Sequence, residues 1–173
     1  GARHEQPPHP LGARPGGDRQ HAAHGAHGAV ERQLANEETP FQGRLIELVA
    51  EDGKCAGADA ASAAQKLVNV DKVSVIIGGL CSGETLAAAP IVEAAKVVML
   101  SPSASSPDIT KAGDFIFRDY PSDAGKTKAI AKYFADTKIS RIAILSENTD
   151  YSQALRTSLK QDLPDGVVVF DEN

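Results

Sequence analysis

Two cysteines, Cys55 and Cys81, stand at the outer ends of one segment whose pattern reads strand-helix-strand, and the second lies in the run Gly-Gly-Leu-Cys-Ser-Gly-Glu-Thr at 78–85. The glycines let the chain turn out of a buried strand, and Ser82 is a hydroxyl residue fit to start a helix. Unpaired backbone N–H groups at a helix start attract anions, so this turn suggests a carboxylate site. The cysteines leave three chemistries open: a crosslink, two small core residues, or a thiol nucleophile in the Gly-x-Cys-x-Gly pattern of 79–83. A thiol hydrolase needs a histidine base after the nucleophile, and no histidine follows His27. A second loop, Ser101-Pro-Ser-Ala-Ser-Ser-Pro107, is dense in hydroxyls and pinned by two prolines. Either loop could also be an ordinary turn.

Other chemistries find little support. All five histidines lie before residue 28, and His21, His24 and His27 recur at a spacing that could share a helical face. They are flanked by Ala and Gly without organising carboxylates or cysteines, so no metal site is expected. There is no Gly-x-Gly-x-x-Gly and no Gly-Lys-Ser/Thr motif, so no nucleotide cofactor is expected. Glu51, Asp52, Glu147, Asp150 and Asp171 fall at element ends, where solvated caps and turns are the default, and none makes a catalytic pair. The net charge of −5 gives no electrostatic reason to expect nucleic acid or an anionic membrane surface. No apolar run approaches the roughly 18–20 residues that span a bilayer.

The elements that must position these loops follow from the pattern. Residues 1–40 mix Gly, Ala, Arg, His and Pro without periodicity and read as a disordered or foreign low-complexity segment. Arg44–Glu51 alternates apolar and polar residues and predicts a strand. Helices are expected over 56–69, 82–95, 122–137 and 151–161. Strands are expected over 73–78, 97–100, 115–118, 141–146 and 167–170, the first of them buried on both faces. Strands alternating with helices define an α/β fold, with a parallel sheet and helices on both faces. In such sheets ligands bind beyond the carboxyl ends of the strands. The loops after Gly78 and Leu100 should therefore share one rim.

From about Gln42 to Asn173 the chain resembles the type I periplasmic binding proteins of ABC transporters, in the branched-chain amino acid (Leu/Ile/Val) group. The resemblance is carried by Glu51-Asp-Gly-Lys-Cys55, Lys66-Leu-Val-Asn-Val-Asp-Lys-Val73, Ile77-Gly-Gly-Leu-Cys-Ser-Gly83 and Leu100-Ser-Pro-Ser-Ala-Ser-Ser-Pro107. Lys111-Ala-Gly-Asp-Phe-Ile-Phe-Arg118, Pro121-Ser-Asp123 and Arg141-Ile-Ala-Ile-Leu145 continue it in the same order. It implies an incomplete two-lobe periplasmic binding protein-like fragment. Residues 41–120 would be a first lobe lacking its first strand and helix, and 121–173 the hinge crossing and the start of a second lobe.

The same resemblance implies a disulfide between Cys55 and Cys81, and a ligand gripped by Ser82, Ser103, Ser105 and Tyr151. Ser82 and Ser105 would hold an α-carboxylate through hydroxyl and N–H, while the carbonyl of Ser103 would accept from an α-ammonium. Ser105 stands where the family commonly has Thr, and Ser152 replaces the glycine that follows the tyrosine. The implied protein is no enzyme. It is a monomeric, extracytoplasmic substrate-binding component that takes an aliphatic amino acid to a membrane permease. A sensor of the same superfamily, reporting to a regulator, fits the same residues.

Overall fold

In the computed structural model the described residues are 33, 36–37 and 44–172, and the chain divides into two units, residues 1–50 and 51–173. The expectation for 1–40 lies outside the described residues except at Gln33, Asn36 and Glu37, which are helical. In this first unit the Asn36 side chain bonds both to the N–H and to the carbonyl of Ile46, at 2.7 and 3.0 Å. The strand expected over 44–51 does not form. Arg44 makes an isolated bridge, 45–50 is irregular, and Leu45 and Leu48 are exposed. Alternation alone does not make a strand, and no ladder partner reaches 45–50 among the described residues.

The second unit runs α1 (Gly57–Asn69), β1 (Val75–Ile77), α2 (Ser82–Ala95), β2 (Val98–Ser101), a 3-10 turn (Pro107–Lys111) and β3 (Ile116–Arg118). It continues with α3 (Asp123–Asp136), β4 (Ile142–Leu145), α4 (Asp150–Asp162) and β5 (Val168–Glu172). β1, β2 and β3 pair in parallel in that order, and β4 pairs in parallel with β5 in a separate sheet. Parallel pairing follows because each strand returns through a helix or a long loop. The helix starts follow from their caps. Ser122 and Thr149 accept hydrogen bonds from the N–H groups of Ala124 and Ser152, satisfying donors that no earlier carbonyl can reach.

The core of the first half joins Ala64 of α1 and Ala88, Ala89 and Val92 of α2 to Ile76, Met99 and Ile116, one residue from each strand. Small alanines let the two helices approach each other closely over that face. The strand around 75–77 is therefore buried on one face only: Ile76 is 9% exposed, but Val75 is 54% and Ile77 76% exposed. A β-branched run cannot reveal which side of a strand its neighbours cover, and both helices here lie on the Ile76 side.

In the second half, α3 and α4 are joined by a hydroxyl of α3: the buried Thr127 donates to Asp162 at 2.6 Å and lies 3.1 Å from the Ser158 hydroxyl. Asp171 of β5, expected as a solvated end residue, is instead clamped to α4 by Arg156 Nε and Lys160 Nζ, both at 2.5 Å. Arg156 first and Lys160 second hold its carboxyl below the usual carboxylate range. A depressed folded pKa adds stability above the unfolded value, and that stability is lost as pH falls through the folded value. Asp171→Asn is thus expected to melt earlier than the parent at pH 7. The gap should vanish in strong acid, which a series of thermal melts against pH would show.

Candidate functional site

The carboxyl ends of β1 and β2 place both predicted loops on one rim. Gly79 turns the chain at φ 43°, and a Cβ there would stand 2.4 Å from the Thr85 hydroxyl, so the turn admits only glycine. Its carbonyl accepts from the hydroxyls of Ser101 at 2.6 Å and Thr85 at 3.0 Å, which ties the first loop to the second. Ser82 opens α2 and is 2% exposed. Its hydroxyl accepts the N–H of Ser106 at 3.2 Å, so the helix start and the Ser101–Pro107 loop meet side by side.

The cysteines form a disulfide with their Cα atoms 5.4 Å apart. A bonded sulfur has no thiolate to offer, which removes the nucleophile reading. The bridge has a second tether that the sequence did not reveal. Glu84, 7% exposed, accepts the backbone N–H of Cys81 at 2.9 Å and that of Cys55 at 3.0 Å. The first of these is the return half of a capping box, with Glu at the third helical position, and could have been read from spacing. The second comes from 29 residues away and could not. Lys54 and Cys55 both lie at φ 52°, a left-handed conformation costly for residues with a Cβ, and the carboxylate and the bridge together hold them there.

Ser105 is buried, and its hydroxyl donates to Asp123 Oδ2 at 2.9 Å while its carbonyl accepts the Asp123 N–H at 2.9 Å. That hydroxyl proton is committed to Asp123, so the group left for an anion at this position is the backbone N–H. Asp123 is 1% exposed and begins α3; its Oδ1 lies 2.6 Å from Lys126 Nζ and has no other polar partner among the described residues. Hydrogen bonding by the Asp123 carboxylate is the main cause that raises the Lys126 pKa above its ordinary 10.5. The Lys126 ammonium in turn lies 5.9 Å from the centre of the Tyr151 ring, within cation–π reach.

Three of the four predicted ligand residues are thereby connected. Ser82 joins the loop of Ser105, and Ser105 leads through Asp123 and Lys126 to Tyr151 on α4. Ser103 sits half-buried in the same loop, and its carbonyl takes no hydrogen bond among the described residues. Asp123 is the residue that sequence reasoning missed. The Pro-Ser-Asp run marks a helix start, but nothing in it shows that the carboxylate turns inward to a serine 18 residues earlier.

This arrangement can hold a zwitterion: α2 presents its first N–H groups beside Ser82, Ser105 adds another, and an unpaired carbonyl stands at Ser103. Residues 20–168 match the periplasmic binding protein family, and the chain belongs to it. The match begins some twenty residues upstream of Gln42, where the resemblance begins. The chain is 35% identical over 125 residues to the leucine-specific-binding protein of Salmonella typhimurium, covering 69% of this chain and 34% of the relative. It is 34% identical over 160 residues to the leucine-, isoleucine-, valine-, threonine- and alanine-binding protein of Pseudomonas aeruginosa, covering 90% and 42%.

Among solved structures it is similar to the branched-chain amino acid transporter substrate binding protein LivJ of Streptococcus pneumoniae, in complex with isoleucine. The TM-score is 0.73 at 29% identity, over 87% of this chain and 44% of that one. A solute binding protein of an ABC transporter from Rhodopseudomonas palustris, in complex with 3,4-dihydroxybenzoic acid, gives a TM-score of 0.70 at 25% identity, over 87% and 42%. The fold is that of the type I periplasmic binding proteins. The chain spans about a third to two-fifths of the length of the curated relatives it matches. No helix among the described residues is long and apolar enough to cross a membrane.

Proposed function

We propose that this chain is the ligand-gripping part of an extracytoplasmic substrate-binding protein of an ABC transporter, which takes an aliphatic amino acid to a membrane permease. The observation that carries the reading is the meeting of Ser82, at the start of α2, with the Ser105–Ser106 backbone. A ligand α-carboxylate would bind the N–H groups of the α2 start and of Ser105 together with the Ser82 hydroxyl. The carbonyl of Ser103 would accept from the α-ammonium, and Tyr151 would cover the ligand from the second half. The names of the curated relatives support an amino acid ligand, and the chemistry is one of binding rather than catalysis. The dihydroxybenzoate-bound neighbour shares the carboxylate but lacks the ammonium, so the ammonium is the discriminating group.

Calorimetry tests this with leucine, isoleucine and valine against 3,4-dihydroxybenzoate. The amino acids should bind and the aromatic acid should not. Ser82→Ala should weaken leucine by about 10- to 100-fold, the worth of one hydrogen bond to a charged group. Unchanged affinity in that variant would move the carboxylate elsewhere.

A further inference from the structure

We propose that Asp150 is the contact that closes the cleft: its carboxylate seats against the backbone of Gly83, beside the carboxylate corner, and position 83 carries no side chain because closure needs that space. A Cβ added at Gly83 would stand 2.6 Å from Asp150 Oδ2, 3.5 Å from its Cγ and 3.7 Å from its Cβ. Gly83 is the second residue of α2, and its φ lies outside the left-handed range. Its backbone therefore does not require glycine, and glycine inside a helix is less favourable than alanine by roughly 0.5–1 kcal/mol. A side chain at 83 would have to push aside the tip of the exposed Asp150 side chain, and so would break this contact.

Charge favours the contact. Asp150 is the first residue of α4, so its carboxylate stands between the starts of α4 and α2. Each helix start carries roughly half a positive charge, and the two would repel as the halves approach. While no ligand carboxylate occupies the α2 start, a carboxylate between them turns that repulsion into attraction. The neighbouring acids cannot take this part. Glu84 is spent on the cysteine amides, and Asp123 on Ser105 and Lys126. Asp150 is exposed, which leaves its contact open to screening by salt.

The contact rests on the two-halved cleft read above but needs no ligand, so its test separates from that of ligand binding. Cysteines placed at the exposed positions Ser62 of α1 and Thr157 of α4 accept nitroxide labels, since the native pair is already bonded. Pulsed electron–electron resonance on the 173-residue chain then reads the separation of the two halves. Asp150→Asn, a conservative change at an exposed position, should raise the ratio of open to closed molecules by about 3- to 30-fold, from the loss of one charge at two helix starts. Added salt should open the parent and leave this variant unmoved.

Gly83→Val should open the cleft further, because its side chain takes the space that the Asp150 carboxylate occupies. An unchanged distance distribution in Asp150→Asn, or in Gly83→Val, would overturn the proposal.

Discussion

Replacing both Cys55 and Cys81 with serine is expected to lower stability by about 2–4 kcal/mol, a fall in melting temperature on the order of 10 °C. The bridge closes a loop of 26 residues that contains all of α1 and β1, so its loss releases a large unfolded-state entropy. The expected drop stays at a few kcal/mol because Glu84 still grips both cysteine amides. The two tethers therefore compensate for each other. Glu84→Ala should cost about 1–3 kcal/mol with the disulfide intact, from two orphaned amides. The same change in the serine pair should cost more than the separate losses sum to, because the left-handed Lys54 and Cys55 then rest on local bonds such as that from the Lys54 N–H to Asp52. Thermal melts of the four proteins give that cycle; strictly additive losses would mean that the tethers act independently.

The second large effect is expected at Lys126. Truncation to alanine should cost about 2–3 kcal/mol, less than in a fully buried ion pair because Lys126 is 45% exposed. The asymmetry of burial decides which partner matters more. Asp123 is 1% exposed on its side chain and Lys126 45%. Removing the lysine leaves a buried carboxylate with one serine hydroxyl and the water that enters where the ammonium stood. Removing the charge of the aspartate leaves an ammonium that rehydrates where it stands. Asp123→Asn should therefore cost only about 1–2 kcal/mol, and it should rescue most of the loss in Lys126→Ala. Denaturant unfolding of the single and double variants measures this ordering. A double variant no more stable than Lys126→Ala would show that the lysine acts through packing of its stem.

Much of the scaffold was legible because the cues were local. The helix Ser82–Ala95 was readable from its glycine turn and hydroxyl start, and α3 and α4 begin within a residue of the expected 122 and 151. The short parallel strands fell where β-branched runs lay between turns. What was not legible depended on partners distant in sequence. The alternation of 44–51 has the period of a strand, but a strand also needs a neighbour, and no periodicity reports one. The exposed faces of Val75 and Ile77 depend on which side α1 and α2 take.

The candidate site divides in the same way. The two loops could be singled out because both follow strand ends, on the rim where this architecture binds ligands, and the family resemblance picked Ser82 and Ser105 within them. Asp123 could not, since an aspartate opening a helix is an ordinary first-turn residue unless its side chain turns inward. The pairing of Asp171 with Arg156 and Lys160 likewise appears only once β5 lies against α4.

The central claim is that one corner, built from Ser82 and Ser105, holds the carboxylate of the ligand. Amide chemical shifts of the isotope-labelled chain, titrated with leucine and then with isopentylamine, test it most directly, because the amine keeps the leucine side chain and loses only the acid. The account predicts saturable shifts at the amides of Ser82, Gly83 and Ser105 with leucine, and none there with the amine. Equal shifts with both compounds, or leucine shifts confined to other residues, would contradict it.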